Sequence, residues 1–166
     1  MIRRAKVQFG FSIAGAAFLL MLFTPNIIWA RNQPPGYTEL ATHENRILLT
    51  LERVGQVAVT CASIAFVSPK GFSMPWLLWL VAALVLMVLY EAAWIRYFKG
   101  GKELINMYAP LGFIPLPLAT LPVAAFILLG IWCQSPIAVL AAVILGIGHI
   151  GIHLGHAREL FRSVRG

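Results

Sequence analysis

Long apolar runs alternate with short polar or proline-rich breaks along the chain. The runs cover residues 9–30, 50–68, 75–95, 112–132 and 137–156. A helical bilayer crossing takes about 20 apolar residues. The pattern therefore predicts an all-α polytopic membrane helix bundle of five transmembrane helices, with residues 1–166 forming one integral membrane domain. The first run follows Arg3, Arg4 and Lys6 and ends at Ile28-Trp29-Ala30. It is too long for the apolar core of a signal peptide and offers a poor cleavage site, so it reads as a span with Trp29 at the interface.

Pro34-Pro35-Gly36 breaks the chain, and Thr38 is expected to cap a second helix running on to residue 68. The first part of that helix, residues 39–51, is amphipathic and is expected to lie at the interface as an extension of the span. Asn45, Glu52, Gln56, Thr60 and Ser63 recur at helical spacing and carry a polar stripe into the membrane. The third run is flanked by Trp76 and Trp79 at one end and by Tyr90, Trp94 and Tyr97 at the other, as interfacial belts are. Pro110, Pro115, Pro117 and Pro122 exclude a straight helix at the start of the fourth run. Irregular backbone at membrane depth survives only where protein shields it or it lines a cavity.

Composition agrees: 60% of residues are apolar and 11% charged, with a mean hydropathy of +0.82, which excludes an ordinary soluble domain. The net charge of +7 is not a nucleic-acid signal, because the basic residues flank apolar runs, where they set orientation and meet lipid headgroups. Five crossings would put the first and third connections and the C-terminus on one face. That face would hold nine basic residues (Arg31, Arg46, Arg53, Arg96, Lys99, Lys102, Arg158, Arg162 and Arg165) against four on the other (Arg3, Arg4, Lys6 and Lys70). The expected placement is the cell membrane, with the N-terminus outside and the C-terminus cytoplasmic.

The last run carries the most specific pattern. His149, His153 and His156 fall at i, i+4 and i+7 on one helical stripe. Gly148, Gly151 and Gly155 form a small-residue face suited to close helix approach, and homo-oligomerisation is expected through it. The same topology gathers His43, Glu44, Glu52, Glu91 and the three late histidines into one layer. Ionisable groups inside spans mark functional sites by default. Glu52, Glu91 and His153 are the candidate acid–base groups, and Arg53, Gln56, Tyr90 and Arg96 the candidate substrate-binding groups. Pairs from His149, His153 and His156, completed by His43 or Glu91, could hold zinc or non-haem iron.

Four histidines in the whole chain are too few for the repeated histidine boxes of membrane desaturases and hydroxylases. Cys61 and Cys133 form no CxxC and indicate neither a zinc ribbon nor a redox pair. The expected partners are the lipid bilayer and a lipid-like or anionic small molecule, with no nucleic acid. The leading functional expectation is a membrane-embedded enzyme acting on an amphipathic substrate. The alternatives are a small transporter or channel subunit and a non-catalytic accessory or sensor protein.

Overall fold

The computed structural model describes residues 7–42 and 44–163, so Arg3, Arg4, Lys6, His43 and Arg165 lie outside the described residues. Its elements in chain order are β1 (Gln8–Phe9), α1 (Ile13–Ala30), α2 (Tyr37–Ala41), α3 (Arg46–Ala65), β2 (Phe66–Val67), α4 (Leu77–Lys99), α5 (Leu104–Met107), α6 (Pro117–Trp132) and α7 (Pro136–Ser163). Among the described residues the fold is all-α apart from one antiparallel pair of two-residue strands, in which Gln8 faces Val67 and Phe9 faces Phe66.

Among the described residues four helices, α1, α3, α4 and α7, are long and apolar enough to cross a membrane. The fifth expected crossing corresponds to α6, which has only 16 residues because its proline-rich entrance is not helical. Leu111 and Ile114 close a tight bridge there. Leu116 adopts a positive φ of 46° before Pro117 opens the helix. A proline at the first helical position loses no hydrogen bond. Pro122, further in, has no N–H to offer the carbonyl of Leu118.

The second helix departs from expectation. It is not continuous from Thr38: Gly36, at φ 84°, starts the short α2, and the chain breaks before a new helix begins at Arg46. Asn45, expected on the polar stripe, is the N-cap of α3. Its side-chain oxygen accepts from the backbone N–H of Ile47 at 2.8 Å and of Leu48 at 3.3 Å. The segment expected at the interface is thus a strap with its own one-turn helix, pinned by the buried Leu40. Asn45→Ala is expected to cost about 1 kcal/mol, read as a lower Tm in detergent. At its other end α3 stops at Ala65, where Phe66 turns extended to pair with Phe9.

Helices α3 and α7 pack most intimately. A Cβ at Gly55 would run into the backbone of Leu145, and one at Gly148 into the backbone of Leu48 and Glu52. Gly151 lies against the Leu48 side chain. The expected oligomer face is therefore largely occupied within the chain by α3, with Gly155 alone left open. On the other side of α7, α6 approaches through Gly130, where a Cβ would lie 2.9 Å from the amide nitrogen of Val139. Trp76 donates its indole N–H to the Trp132 carbonyl at 2.7 Å, tying the start of α4 to the end of α6.

Candidate functional site

Helix α1 meets α3 near the β1–β2 pair. Gly10 N–H bonds to Ala65 O at 3.0 Å, Ser12 N–H bonds to Ile64 O at 2.9 Å, and Gly15 sits against the Ser63 carbonyl. Farther along, α1 is held instead to α4, where Asn26 Nδ2 donates to Tyr90 Oη at 2.6 Å. The space left between α1, α3, α4, α6 and α7 is a cavity of about 600 Å³, within the range of about 300–1,000 Å³ usual for ligand pockets.

Its wall is amphipathic. Glu44, Glu52, Arg53, Gln56, His149 and His153 line one end, and Leu22, Val59, Val123, Phe126 and Leu145 line the other. At the apolar end Phe126 meets Phe18 edge-on, with ring centroids 6.2 Å apart.

The polar end is organised by the α3–α7 contact. Because Gly148 lets α3 approach, the next residue, His149, reaches across to Glu52, with Nδ1 2.6 Å from Oε1. Side-chain exposure is 22% for His149 and 14% for Glu52, so this carboxylate–imidazole pair is largely withdrawn from solvent and coupled accordingly. Glu52 is thus paired across helices rather than with Arg46 or Arg53. One turn on, the His153 ring lies 4.4 Å from His149 between ring centroids and 5.8 Å from Tyr108. Among the described residues His153 has no hydrogen-bond partner, and it lines the cavity.

His156 is spent differently. Its Nδ1 lies 3.1 Å from Tyr108 Oη, and its ring meets Tyr37 edge-on at 5.9 Å. The Glu44 carboxylate approaches His156 Nε2 to 3.3 Å, near enough for an ion pair but off the hydrogen-bond direction, so that nitrogen is left without a hydrogen-bond acceptor. Tyr37 and Glu44 belong to the strap before α3, and both line the cavity. Burial, then the neighbouring carboxylates of Glu44 and Glu52, push the Tyr37 phenol up to about 12. Burial, and next to it Glu52, also raise the Glu44 carboxyl above its ordinary value. Tyr108 is raised as well, chiefly by burial.

The sequence candidates therefore separate. Glu52, Arg53, Gln56, Tyr90, His149 and His153 share the cavity, and Glu91 and Arg96 are not on its wall. Glu91 keeps one carboxylate oxygen buried without a hydrogen-bond partner. Arg96 donates to the carbonyls of Pro110 at 2.5 Å and Ala109 at 2.7 Å, bracing the irregular entrance to α6. Metal ligation also meets a different geometry. Among the described residues no three His, Cys, Asp or Glu side chains converge on a common point. The stripe splits instead, His149 toward Glu52 and His156 toward Tyr108 and Glu44, and His43 lies outside the described residues. Asn26 and Tyr37 went unnoticed in the sequence. A polar Asn beside Pro25 inside an apolar run was a usable signal for the first, and no pattern marks the second.

Fold and site together define an all-α protein with apolar helices long enough to cross a membrane, built round an amphipathic inter-helix cavity with a Glu–His pair in its wall. Compared with known protein families, curated proteins and solved structures, the chain matches none.

Proposed function

We propose that this protein is a membrane-embedded enzyme acting on an amphipathic, lipid-like substrate held in the cavity. The observation that carries this reading is the Glu52–His149 pair, 2.6 Å apart, in the wall of a chamber with one polar and one apolar end. Glu52 engages Nδ1 and so orients the imidazole, leaving Nε2 to take or give a proton at a bound substrate. His153, unbonded beside it, is the second acid–base group, and Arg53 and Gln56 contact the polar part of the substrate. The apolar part of the wall, which includes Leu22, Val59, Val123, Phe126 and Leu145, suits the hydrocarbon part of such a substrate and supports this reading over a transporter or channel.

In this proposal the chain crosses the membrane five times. Helix α6 is the additional crossing, completed by the irregular stretch before it. The polar layer faces the cytoplasm and the N-terminus lies outside, in keeping with the basic residues of the connections.

The test is turnover of a total lipid extract from the native membrane. The wild-type chain, reconstituted in that extract, is expected to deplete one lipid class and accumulate a product, read by mass spectrometry. Glu52→Gln and His149→Ala are expected to slow this by about 10²-fold or more. Lipid profiles identical for the wild type and both variants would refute the proposal.

A further inference from the structure

The exposed part of the cavity wall is confined to two helices. Phe23 on α1, with Arg53, Gln56, Val57 and Cys61 on α3, are exposed, whereas every lining residue from α4, α6 and α7 is buried or half-buried. The opening therefore lies between α1 and α3, which are bonded to each other at the β1–β2 end. Both are apolar enough to cross a membrane, and Phe23 and Val57 sit well inside them, 42% and 66% exposed. At that depth the medium outside the opening is acyl chain rather than water.

The polar groups of the wall differ in how far they are already engaged. Glu52 is bonded to His149, and Glu44 lies 3.3 Å from His156 with its carboxyl raised by burial and by Glu52. Among the described residues Arg53 is the one Lys or Arg on the wall; it forms no close ion pair, and its charge reaches Glu44, where it acts against the effect of burial. Gln56 and His153 likewise offer side chains without hydrogen bonds. Arg53 places a positive charge on the wall, and Gln56 and His153 can each donate beside it, so an acceptor-rich, negatively charged group is complementary at this point.

We infer that the cavity is filled sideways from the bilayer, through the gap between α1 and α3, by a lipid whose oxyanion head, a phosphate or carboxylate, seats on Arg53. This deepens the proposed function and rests on reading the cavity as a site for a lipid-like molecule. The tail lies along Val57 and Phe126, and the head sits within reach of His153 and the Glu52–His149 pair.

The chain carries its own reporter, since Cys61 is exposed on the cavity wall and Cys133 is buried in the core. In vesicles of a neutral galactolipid, digalactosyldiacylglycerol, whose head carries no oxyanion, pyrene maleimide, which dissolves in the bilayer, is expected to label Cys61 and spare Cys133. A membrane-impermeant sulfonated maleimide is expected to label neither. Phosphatidic acid added as a minor component is expected to slow Cys61 labelling about tenfold, the size of one charge-assisted contact. Diacylglycerol with the same tails is expected to leave the rate within about twofold, lacking that contact. Arg53→Gln is expected to abolish the protection while Cys133 stays unlabelled, showing that the fold is kept.

Rapid labelling of Cys61 by the impermeant reagent would overturn entry from the bilayer. Equal protection by diacylglycerol, or protection surviving in Arg53→Gln, would overturn the oxyanion seat. Millimolar inorganic phosphate protecting as well as phosphatidic acid would assign the seat to a soluble anion and overturn the lipid. Labelling reads occupancy alone. Protection without any lipid turnover would refute the enzyme and leave this inference standing.

Discussion

Replacing Gly148 with leucine is expected to cost about 3 kcal/mol or more and to leave little folded protein, because a new side chain must fit where two helix backbones meet. A Cβ at this position already collides with the Leu48 carbonyl and the Glu52 amide, and backbone cannot swing aside as a side-chain tip can. The helices would have to part by about the width of a side chain, and the interior tolerates little added volume without strain. Separation would also break the 2.6 Å contact between His149 and Glu52, so stability and site would fail together. The control is Gly155→Leu, where an added Cβ meets nothing within 4 Å. Its effect is expected to stay within about 0.5 kcal/mol, as for most open positions. Thermal unfolding in detergent, followed by circular dichroism, reads both. A Gly148→Leu protein with the wild-type Tm would mean that α3 and α7 do not cross as described.

His149→Ala is expected to destabilise the chain by about 1–3 kcal/mol, the cost of leaving a buried polar group without its partner. Glu52 is then stranded in the cavity wall with its side chain only 14% exposed. Glu52→Gln is expected to be milder, since an amide can still hydrogen-bond the imidazole. The decisive comparison is the double variant His149→Ala with Glu52→Ala, which removes both members. If the pair is a real contact, the two single losses are expected to exceed the double loss by about 1 kcal/mol or more, as for residues that touch. Strict additivity would show that the two side chains do not interact. The coupling is also expected to change little between low and high salt, because pairs withdrawn from solvent are screened weakly.

Much of the architecture was legible along the chain because helices long and apolar enough to cross a membrane leave long apolar runs in the sequence. Apolar runs predicted α1, α4 and α7 to within a few residues at most ends, although α7 continues to Ser163, past the expected stop at His156. The proline cluster predicted an irregular entrance to α6, and Leu116 at positive φ with the Leu111–Ile114 bridge is that irregularity. Helix two was less legible. Thr38 and Asn45 are both good capping residues, and no local rule chooses between them; the strap's packing through Leu40 goes with a second start at Asn45.

Helical spacing by itself determined that His149, His153 and His156 share a stripe, and that Glu52 and Gln56 share another. Those relations need only the 3.6-residue period and are blind to what lies across the gap. Which partner each side chain meets was decided by tertiary structure. Gly148 admits α3, so His149 finds Glu52; the strap and the α5–α6 connection bring Glu44, Tyr37 and Tyr108 to His156; and α4 turns Glu91 off the cavity wall while the Arg96 guanidinium goes to the backbone of Ala109 and Pro110. Rotation and crossing of whole helices set these contacts, and they depend on packing summed over many residues, which no single stretch of sequence encodes.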